Sequence, residues 1–241
     1  MLLHGGWLDL RQWDDQIEPL SSSCTVIRYD QRGYGRSPLG TAPYSHYADL
    51  RALLLTLGVE RPHLVALSHG AQIAVDFAVS FPDSIRSLAI GCAPMRGYDL
   101  GSEFWEGMRA VIRAGSAGRK NECRAALWRF APLRVAATIP EAAERIDRMM
   151  VEEHEFAYAR PDAPSQEFLD PPTSSRFAEI AAPTLVILGD GEMPALAEQG
   201  ELMARGIPNA RLIVISGAGH IVNIEQPAAY TQVVQEWLAT H

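Results

Sequence analysis

Residues 63–81 read HLVALSHGAQIAVDFAVSF, an apolar run that passes through a serine into a second apolar stretch. The first five of these residues predict a buried strand, and Ala71–Phe81 carries apolar side chains at the spacing of a helix. A serine between a strand and a helix is typical of a nucleophile elbow, a strained turn with small residues two positions before and after the serine. Ala66 and Gly70 occupy those positions around Ser68. The alternative is a serine that only caps the following helix.

Similar apolar runs recur along the chain and alternate with amphipathic stretches. This pattern predicts an α/β fold with a mostly parallel sheet flanked by helices. Further buried strands are expected at Cys24–Tyr29, Ile85–Cys92, Thr184–Leu188 and Arg211–Ile215. Further helices are expected at Tyr47–Leu57, Pro194–Arg205 and Ala228–Ala239. The first three residues have the composition of the end of one more strand.

The region between Gly97 and Arg176 contains helical patterns without strand runs. Its helices are expected at Phe104–Ala114, Asn121–Phe130 and Pro140–Phe156. An insertion of this length between two strands predicts a helical lid, although the helices could also form only peripheral layers. The predicted organisation is a core of residues 1–96 and 177–241 with a lid or cap of residues 97–176.

Two glycine-rich turns after predicted strands carry ionisable side chains. Asp190 and Glu192 lie in the first of these turns, and His220 closes the second. Because the carboxyl ends of parallel strands share one edge of a sheet, we expect Ser68, a carboxylate and His220 to meet there. In such a triad the histidine accepts the serine proton and the acid holds the imidazole in one tautomer.

A glycine turn also follows the short strand at the start of the chain, in the stretch HGGW at residues 4–7. Such a turn can aim a backbone N–H into a site, and with the N–H of His69 it would form an oxyanion hole. Another glycine-containing segment, DQRGYGRS at residues 30–37, lacks the glycine patterns of phosphate-binding loops. We interpret it as a structural turn beneath the site.

Together these motifs resemble the α/β-hydrolase family over essentially the whole chain. Residues 30–37, with the pattern D-x-R-G-x-G-x-S, and the pattern G-x-G-H-x-x-x-x-E-x-P from Gly217 are specific for its lidded, serine esterase and lactonase-like branch. The resemblance implies an eight-stranded sheet of which this chain contains the third strand onwards, so that the first two strands are missing. A sheet with such an open edge predicts either an unstable chain or a homodimer that covers the edge.

The resemblance also implies a role for each matching residue. Ser68 would be the nucleophile and His220 the base. The N–H groups of Gly6 and His69 would form the oxyanion hole, with Trp7 as the neighbour that could take the place of Gly6.

The identity of the triad acid remains open between neighbouring residues. In the lidded branch the acid stands three residues after the glycine that ends its strand, and counting from Gly189 this is Glu192. The usual residue there is aspartate, so Asp190 is the alternative acid. Asp99, which follows the predicted strand Ile85–Cys92, is a third candidate.

The expected function is that of a serine hydrolase. Its substrate would be a small, partly apolar ester, thioester or lactone, cleaved through an acyl-enzyme intermediate. A serine at position 68 argues against haloalkane dehalogenases and epoxide hydrolases, which this family builds with aspartate at that position. The alternative is a non-hydrolytic member of the same fold that binds a ligand or acts as a lyase.

A small-molecule substrate is the expected partner, and composition argues against two other classes of partner. The net charge of −8 argues against nucleic acid. No apolar run reaches the roughly 18 residues of a membrane span, and no signal peptide is recognisable, so a cytoplasmic protein without membrane contact is expected. Three widely spaced cysteines without a C-x-x-C pattern predict neither a disulfide framework nor a metal site. No cofactor is expected.

Overall fold

A computed structural model of the chain describes residues 1–152 and 162–241, without the side chains of residues 151 and 152. Its centre is a parallel sheet, as the apolar runs predict. The strands of this sheet are β1 (Leu2–Leu3), β2 (His63–Leu67), β3 (Ser87–Gly91), β4 (Thr184–Gly189) and β5 (Ala210–Ile215). They lie in the order β1-β2-β3-β4-β5, and every neighbouring pair is parallel.

Helices cover both faces of the sheet. They are α1 (Asp14–Ser21), α2 (His46–Thr56), α3 (His69–Ser80), α4 (Gly101–Ser116), α5 (Lys120–Arg129), α6 (Pro140–Glu152), α7 (Pro194–Gly206), α8 (Val222–Glu225) and α9 (Pro227–Thr240). Short 3₁₀ turns lie at Leu10–Trp13, Pro82–Ser84, Ala131–Leu133, Ala136–Thr138, Thr173–Ser175 and Phe177–Glu179. Among the residues that the structure describes, no helix has both the length and the apolar character to cross a membrane.

The apolar core is divided in two by the sheet. Along β2, Val65 and Leu67 join one buried cluster, whereas Leu64 and Ala66 join the other, because successive side chains of a strand point to opposite faces. The first cluster contains residues of α1, α5, α6 and α9. The second contains residues of α2, α3 and α7. Both faces of β2 are therefore buried, which explains its uninterrupted apolar run.

Two predicted strands differ from the structure. Arg211–Ile215 was expected to be buried, but β5 is the last strand in the order, and Leu212, Ile213 and Val214 are 37%, 37% and 54% exposed. Cys24–Tyr29 forms no strand of its own. It contacts the sheet through one parallel bridge between Arg28 and Leu2. The neighbouring strand β1 is only two residues long, so a longer ladder of hydrogen bonds has no room to form.

The chain between β3 and β4 is helical, as predicted, through α4, α5 and α6 in the described residues. These helices pack against one another. A Cβ atom on Gly107 of α4 would lie 2.5 Å from the Phe130 ring, so the helix approaches that ring closely. Asp147 of α6 accepts hydrogen bonds from Arg124 and Trp128 of α5. The predicted helix Pro140–Phe156 is observed as far as Glu152, and its remainder lies outside the described residues.

Candidate active site

Ser68 lies in a strained turn between β2 and α3. Its φ of 54° and ψ of −120° belong to a region of backbone conformation that residues other than glycine rarely adopt. Gly70 makes the turn possible, because a Cβ atom there would clash with the backbone carbonyl oxygen of Leu3. Ala66, the small residue on the other side, is fully buried in β2. The strand, the strained turn and the following helix have the geometry that a nucleophile elbow requires.

Three predicted side chains meet at the carboxyl edge of the sheet. Nε2 of His220 lies 2.8 Å from Oγ of Ser68, and Nδ1 of the same ring lies 2.7 Å from Oε2 of Glu192. Ser68 follows β2, Glu192 follows β4 and His220 follows β5, so three strand ends supply one continuous hydrogen-bonded chain. The ring can accept the serine proton at Nε2 only while Nδ1–H donates to the carboxylate.

The Glu192 carboxylate is shielded from water, with its side chain 0% exposed. Its second oxygen accepts a hydrogen bond from the backbone N–H of Met193 at 2.7 Å. Burial works to raise the pKa of Glu192, but attraction to His220 and the hydrogen bonds it accepts lower this pKa below its ordinary value. Burial works to lower the pKa of His220, but the charge of Glu192 and its hydrogen bond raise this pKa above 6.5.

The other two candidate acids are occupied elsewhere. Asp190 accepts hydrogen bonds from Ser216 Oγ at 2.7 Å and from the N–H of Gly217 at 2.8 Å, in an exposed turn. These hydrogen bonds lower the pKa of Asp190. Asp99 accepts a hydrogen bond from the N–H of Gly101 and is exposed as well. Neither carboxylate is hydrogen-bonded to His220.

A second buried carboxylate supports the loop of His220. Glu225, the glutamate of the E-x-P pattern, accepts a hydrogen bond from the N–H of Gly219. Close packing holds the same loop against β4, because a Cβ atom on Gly189 would clash with the carbonyl of Ala218. The motif thus acts on the position of His220 through the backbone. The sequence pattern indicated a match at Glu225 but not this contact.

The predicted glycine turn lies beside the serine. A Cβ atom built on Gly5 would stand 3.4 Å from Cβ of Ser68, and one built on Gly6 would stand 3.6 Å from Cβ of His69. His69 is the first residue of α3, where backbone N–H groups have no partner within the helix. Trp7, the predicted neighbour, has a φ of 62°. The two candidate donors of an oxyanion hole are therefore adjacent residues in space.

A buried polar network holds this turn in place. The N–H of Gly5 donates to Oε1 of Gln12 at 2.7 Å, and Nε2 of Gln12 donates to Asn223 Oδ1 at 3.0 Å. Nδ2 of Asn223 donates in return to the carbonyl of Gln12 at 2.8 Å and to Gln16 Oε1 at 3.1 Å. The glycine turn is thereby tied to α8, which follows the loop of His220.

The segment of residues 30–37 is a turn organised by its own aspartate. Asp30 accepts hydrogen bonds from the N–H groups of Leu10 and Arg36, and its carbonyl accepts one from Ser37 Oγ at 2.7 Å. A Cβ atom on Gly35, whose φ is 50°, would overlap the carboxylate of Asp30. The segment is thus a structural turn, as its glycine pattern predicts.

Ser68 and His220 open into a cavity of about 450 Å³, a size usual for small-molecule sites. Most of its wall is apolar and comes from both the sheet edge and the helical insertion. The insertion contributes Leu100, Phe104, Trp105, Met108, Ile112, Phe130, Pro132, Leu133, Met150, Gln166 and Phe168. Polar side chains on the wall include Tyr34, His69, Gln72 and Arg96. Trp128 and Met149 of the insertion do not border the cavity and pack in the core instead.

One group of side chains at the site has the chemistry of metal ligands. Sγ of Cys92, a carboxylate oxygen of Glu192 and a ring nitrogen of His220 lie within 4.8 Å of one another. Both nitrogens of His220 already have partners, and burial raises the pKa of the Cys92 thiol. A metal would therefore displace a thiol proton and break the hydrogen bonds of His220.

The fold and this geometry agree with the family comparison. The sequence model of the Alpha/beta hydrolase family matches residues 1–233, and the chain belongs to that family.

Relatives from this family are similar over nearly the whole chain. The 3-oxoadipate enol-lactonase 2 of Acinetobacter baylyi is 24% identical over 230 residues, which cover 94% of this chain and 83% of the relative. The structure of the enol-lactonase from Burkholderia xenovorans LB400 has a TM-score of 0.81 and 27% identity, covering 99% of this chain and 90% of that one. A thermophilic esterase from Thermogutta terrifontis has a TM-score of 0.76 and 28% identity, covering 99% and 88%. These relatives indicate a hydrolase.

Proposed function

We propose that the protein is a serine hydrolase that cleaves a small, partly apolar ester, thioester or lactone. The observation that carries this proposal is the unbroken hydrogen-bonded chain from Ser68 through His220 to Glu192, placed at the wall of an apolar cavity. The names of the similar enol-lactonases and esterase support the substrate class. In this proposal residues 97–176 form the lid, whose aromatic and aliphatic side chains bind the apolar part of the substrate.

The reaction begins when Oγ of Ser68 attacks the substrate carbonyl carbon and its proton passes to Nε2 of His220. The charge that develops on the carbonyl oxygen is stabilised by the N–H groups of Gly6 and His69. The carbon–oxygen or carbon–sulfur bond then breaks, and His220 returns the proton to the leaving alcohol or thiol. In a lactone this alcohol stays attached to the acyl group.

Water completes the cycle. His220 accepts a proton from a water molecule as its oxygen attacks the acyl carbon of the ester on Ser68. The second tetrahedral intermediate collapses, the carboxylic acid leaves, and the proton returns to Oγ of Ser68. Throughout, Glu192 remains a carboxylate that stabilises the imidazolium form of His220 and orients its ring. Its buried position fits this role, because the attraction is strongest where water is excluded.

The pH dependence of the reaction should follow His220. Only its neutral form accepts a proton, so kcat/KM should fall as the pH drops through its pKa in the free enzyme. Since Glu192 raises this pKa, the acid limb should lie above pH 6.5 and should move to lower pH in Glu192→Gln, which removes the charge that stabilises the imidazolium. Initial rates from pH 5 to 9, in steps of about half a unit, locate the acid limb of the wild type and that of Glu192→Gln. If the acid limb stays at the same pH in Glu192→Gln, it reports the pKa of a group other than His220.

Fluorophosphonate labelling followed by intact-mass spectrometry tests the proposed function directly. The wild-type protein should gain one adduct at Ser68, and the label should abolish turnover of a panel of short-chain esters, thioesters and lactones. A folded protein that gains no adduct would contradict the serine-hydrolase proposal and favour the ligand-binding alternative. An adduct without turnover of any panel member would contradict the substrate class and leave the activated serine supported.

A further inference from the structure

His69 contributes more to the site than its backbone. The residue follows Ser68, is partly exposed, and its ring borders the same cavity. The ring packs edge-on against His46, with centroids 4.8 Å apart, and lies 5.7 Å from the ring of Tyr34. Its Nδ1 lies 2.9 Å from Oε1 of Gln31, whereas its Nε2 has no hydrogen-bond partner in residues 1–152 and 162–241.

A hydrogen-bond relay determines which ring nitrogen of His69 carries the proton. Nε2 of Gln31 donates to the carbonyl oxygen of His4 at 2.6 Å, and a carbonyl oxygen can only accept. The amide of Gln31 is therefore oriented with Oε1 toward His69, and this oxygen can also only accept. It follows that Nδ1 of His69 carries the hydrogen.

The relay is fixed at its other end as well. The N–H of Gln31 donates to Nε2 of His4 at 3.0 Å, so the proton of His4 lies on Nδ1, which donates to the carbonyl of Gly5 at 2.8 Å. Both rings are neutral at pH 7, since burial lowers the pKa of His69 to about 4 and also lowers that of His4. A neutral ring with its hydrogen on Nδ1 presents a lone pair at Nε2.

We propose that Nε2 of His69 is a substrate-specificity element, an acceptor that binds a hydroxyl donor close to the reacting carbonyl. The inference rests on the proposed function, because it concerns the substrate of the same cavity. It names hydroxylated esters or lactones as the preferred class. The apolar wall binds the carbon skeleton, and His69 distinguishes a hydroxylated substrate from its deoxy analogue. A deoxy analogue would bury Nε2 of His69 without a hydrogen-bond donor, and this costs free energy. The analogue should therefore have a lower kcat/KM.

Paired substrates test this inference. Ethyl lactate is compared with ethyl propanoate for a hydroxyl on the acyl side, and ethylene glycol monobutanoate with ethyl butanoate for one on the alcohol side. The measured quantity is the ratio of kcat/KM within each pair, in which a general loss of activity cancels. For the pair whose hydroxyl reaches His69, this ratio should be about tenfold higher in the wild type than in His69→Phe, as expected for one hydrogen bond. His46→Phe, which changes the ring that packs against His69, should keep the wild-type ratio.

Equal ratios in wild type and His69→Phe for both pairs would overturn the inference while leaving the hydrolase proposal intact. A protein that turns over no ester and gains no fluorophosphonate adduct would overturn both. A ¹⁵N NMR spectrum of the imidazole nitrogens gives an independent readout without substrate. The signals lost in His69→Phe should show Nδ1 protonated and Nε2 unprotonated at pH 7. The opposite tautomer would also overturn the inference.

Discussion

Replacing Ser68 by alanine is expected to lower kcat/KM by about 10⁶-fold, because every step of the proposed reaction forms or breaks a bond at Oγ. Oγ of Ser68 is the hydroxyl within hydrogen-bond distance of Nε2 of His220, and alanine removes it. Alanine also fits the small space of the elbow, so the folded structure should persist. Ester turnover and intact mass after fluorophosphonate treatment measure the loss.

The matched control is Ser102→Ala. Ser102 lies on the exposed side of α4 and does not border the cavity. It should keep the wild-type rate and the single adduct. An adduct that survives in Ser68→Ala would place the reactive nucleophile elsewhere in the chain and would remove the basis of the mechanism.

Glu192→Gln is expected to lower kcat by about 10⁴-fold. The amide keeps the size of the side chain but removes its charge, and its NH₂ group can donate to Nδ1 of His220. That arrangement moves the ring hydrogen to Nε2, where it blocks acceptance of the proton from Ser68. Steady-state kinetics on the best ester of the panel measure the effect.

Asp190→Asn is the control that separates the two candidate acids. Asp190 is an exposed carboxylate bonded to Ser216 and Gly217, so its replacement should leave kcat within about twofold of the wild type. If Asp190→Asn loses the activity and Glu192→Gln retains it, the assignment of the acid is reversed. Equal, small effects of both would mean that His220 acts without a buried carboxylate.

Much of this arrangement could be predicted from local sequence. The apolar run before Ser68, the small residues around it and the glycine turn before His220 each describe a strand end and a tight turn. Parallel strands bring such ends together whatever the details of the helices, so Ser68 and His220 were expected at one edge of the sheet. The choice between Asp190 and Glu192 was harder, since both lie in the same turn. It depends on the direction in which each side chain leaves the backbone.

Other features of the fold and the site depend on contacts between distant parts of the chain, which a local sequence pattern does not predict. The apolar run of β5 resembles that of a central strand, and only the strand order shows that it lies at the end of the described sheet. Glu225 and Gly219 are six residues apart, but the orientation of the carboxylate depends on how α8 packs. The same limit applies to Gln31, which the sequence presents only as part of a turn.

Gln31 has a consequence for the evolution of this pocket. It stands 38 positions before His69 and is not part of the cavity wall, yet it decides which ring nitrogen of His69 carries the proton. A single substitution at Gln31 could convert the lone pair offered to the substrate into an N–H group, with every residue of the cavity wall unchanged. Of two relatives with identical pocket walls, one could therefore prefer a substrate that donates a hydrogen bond at this position and the other a substrate that accepts one. Classifying such enzymes by wall residues alone would group them together, and Gln31 and His4 belong in any such comparison.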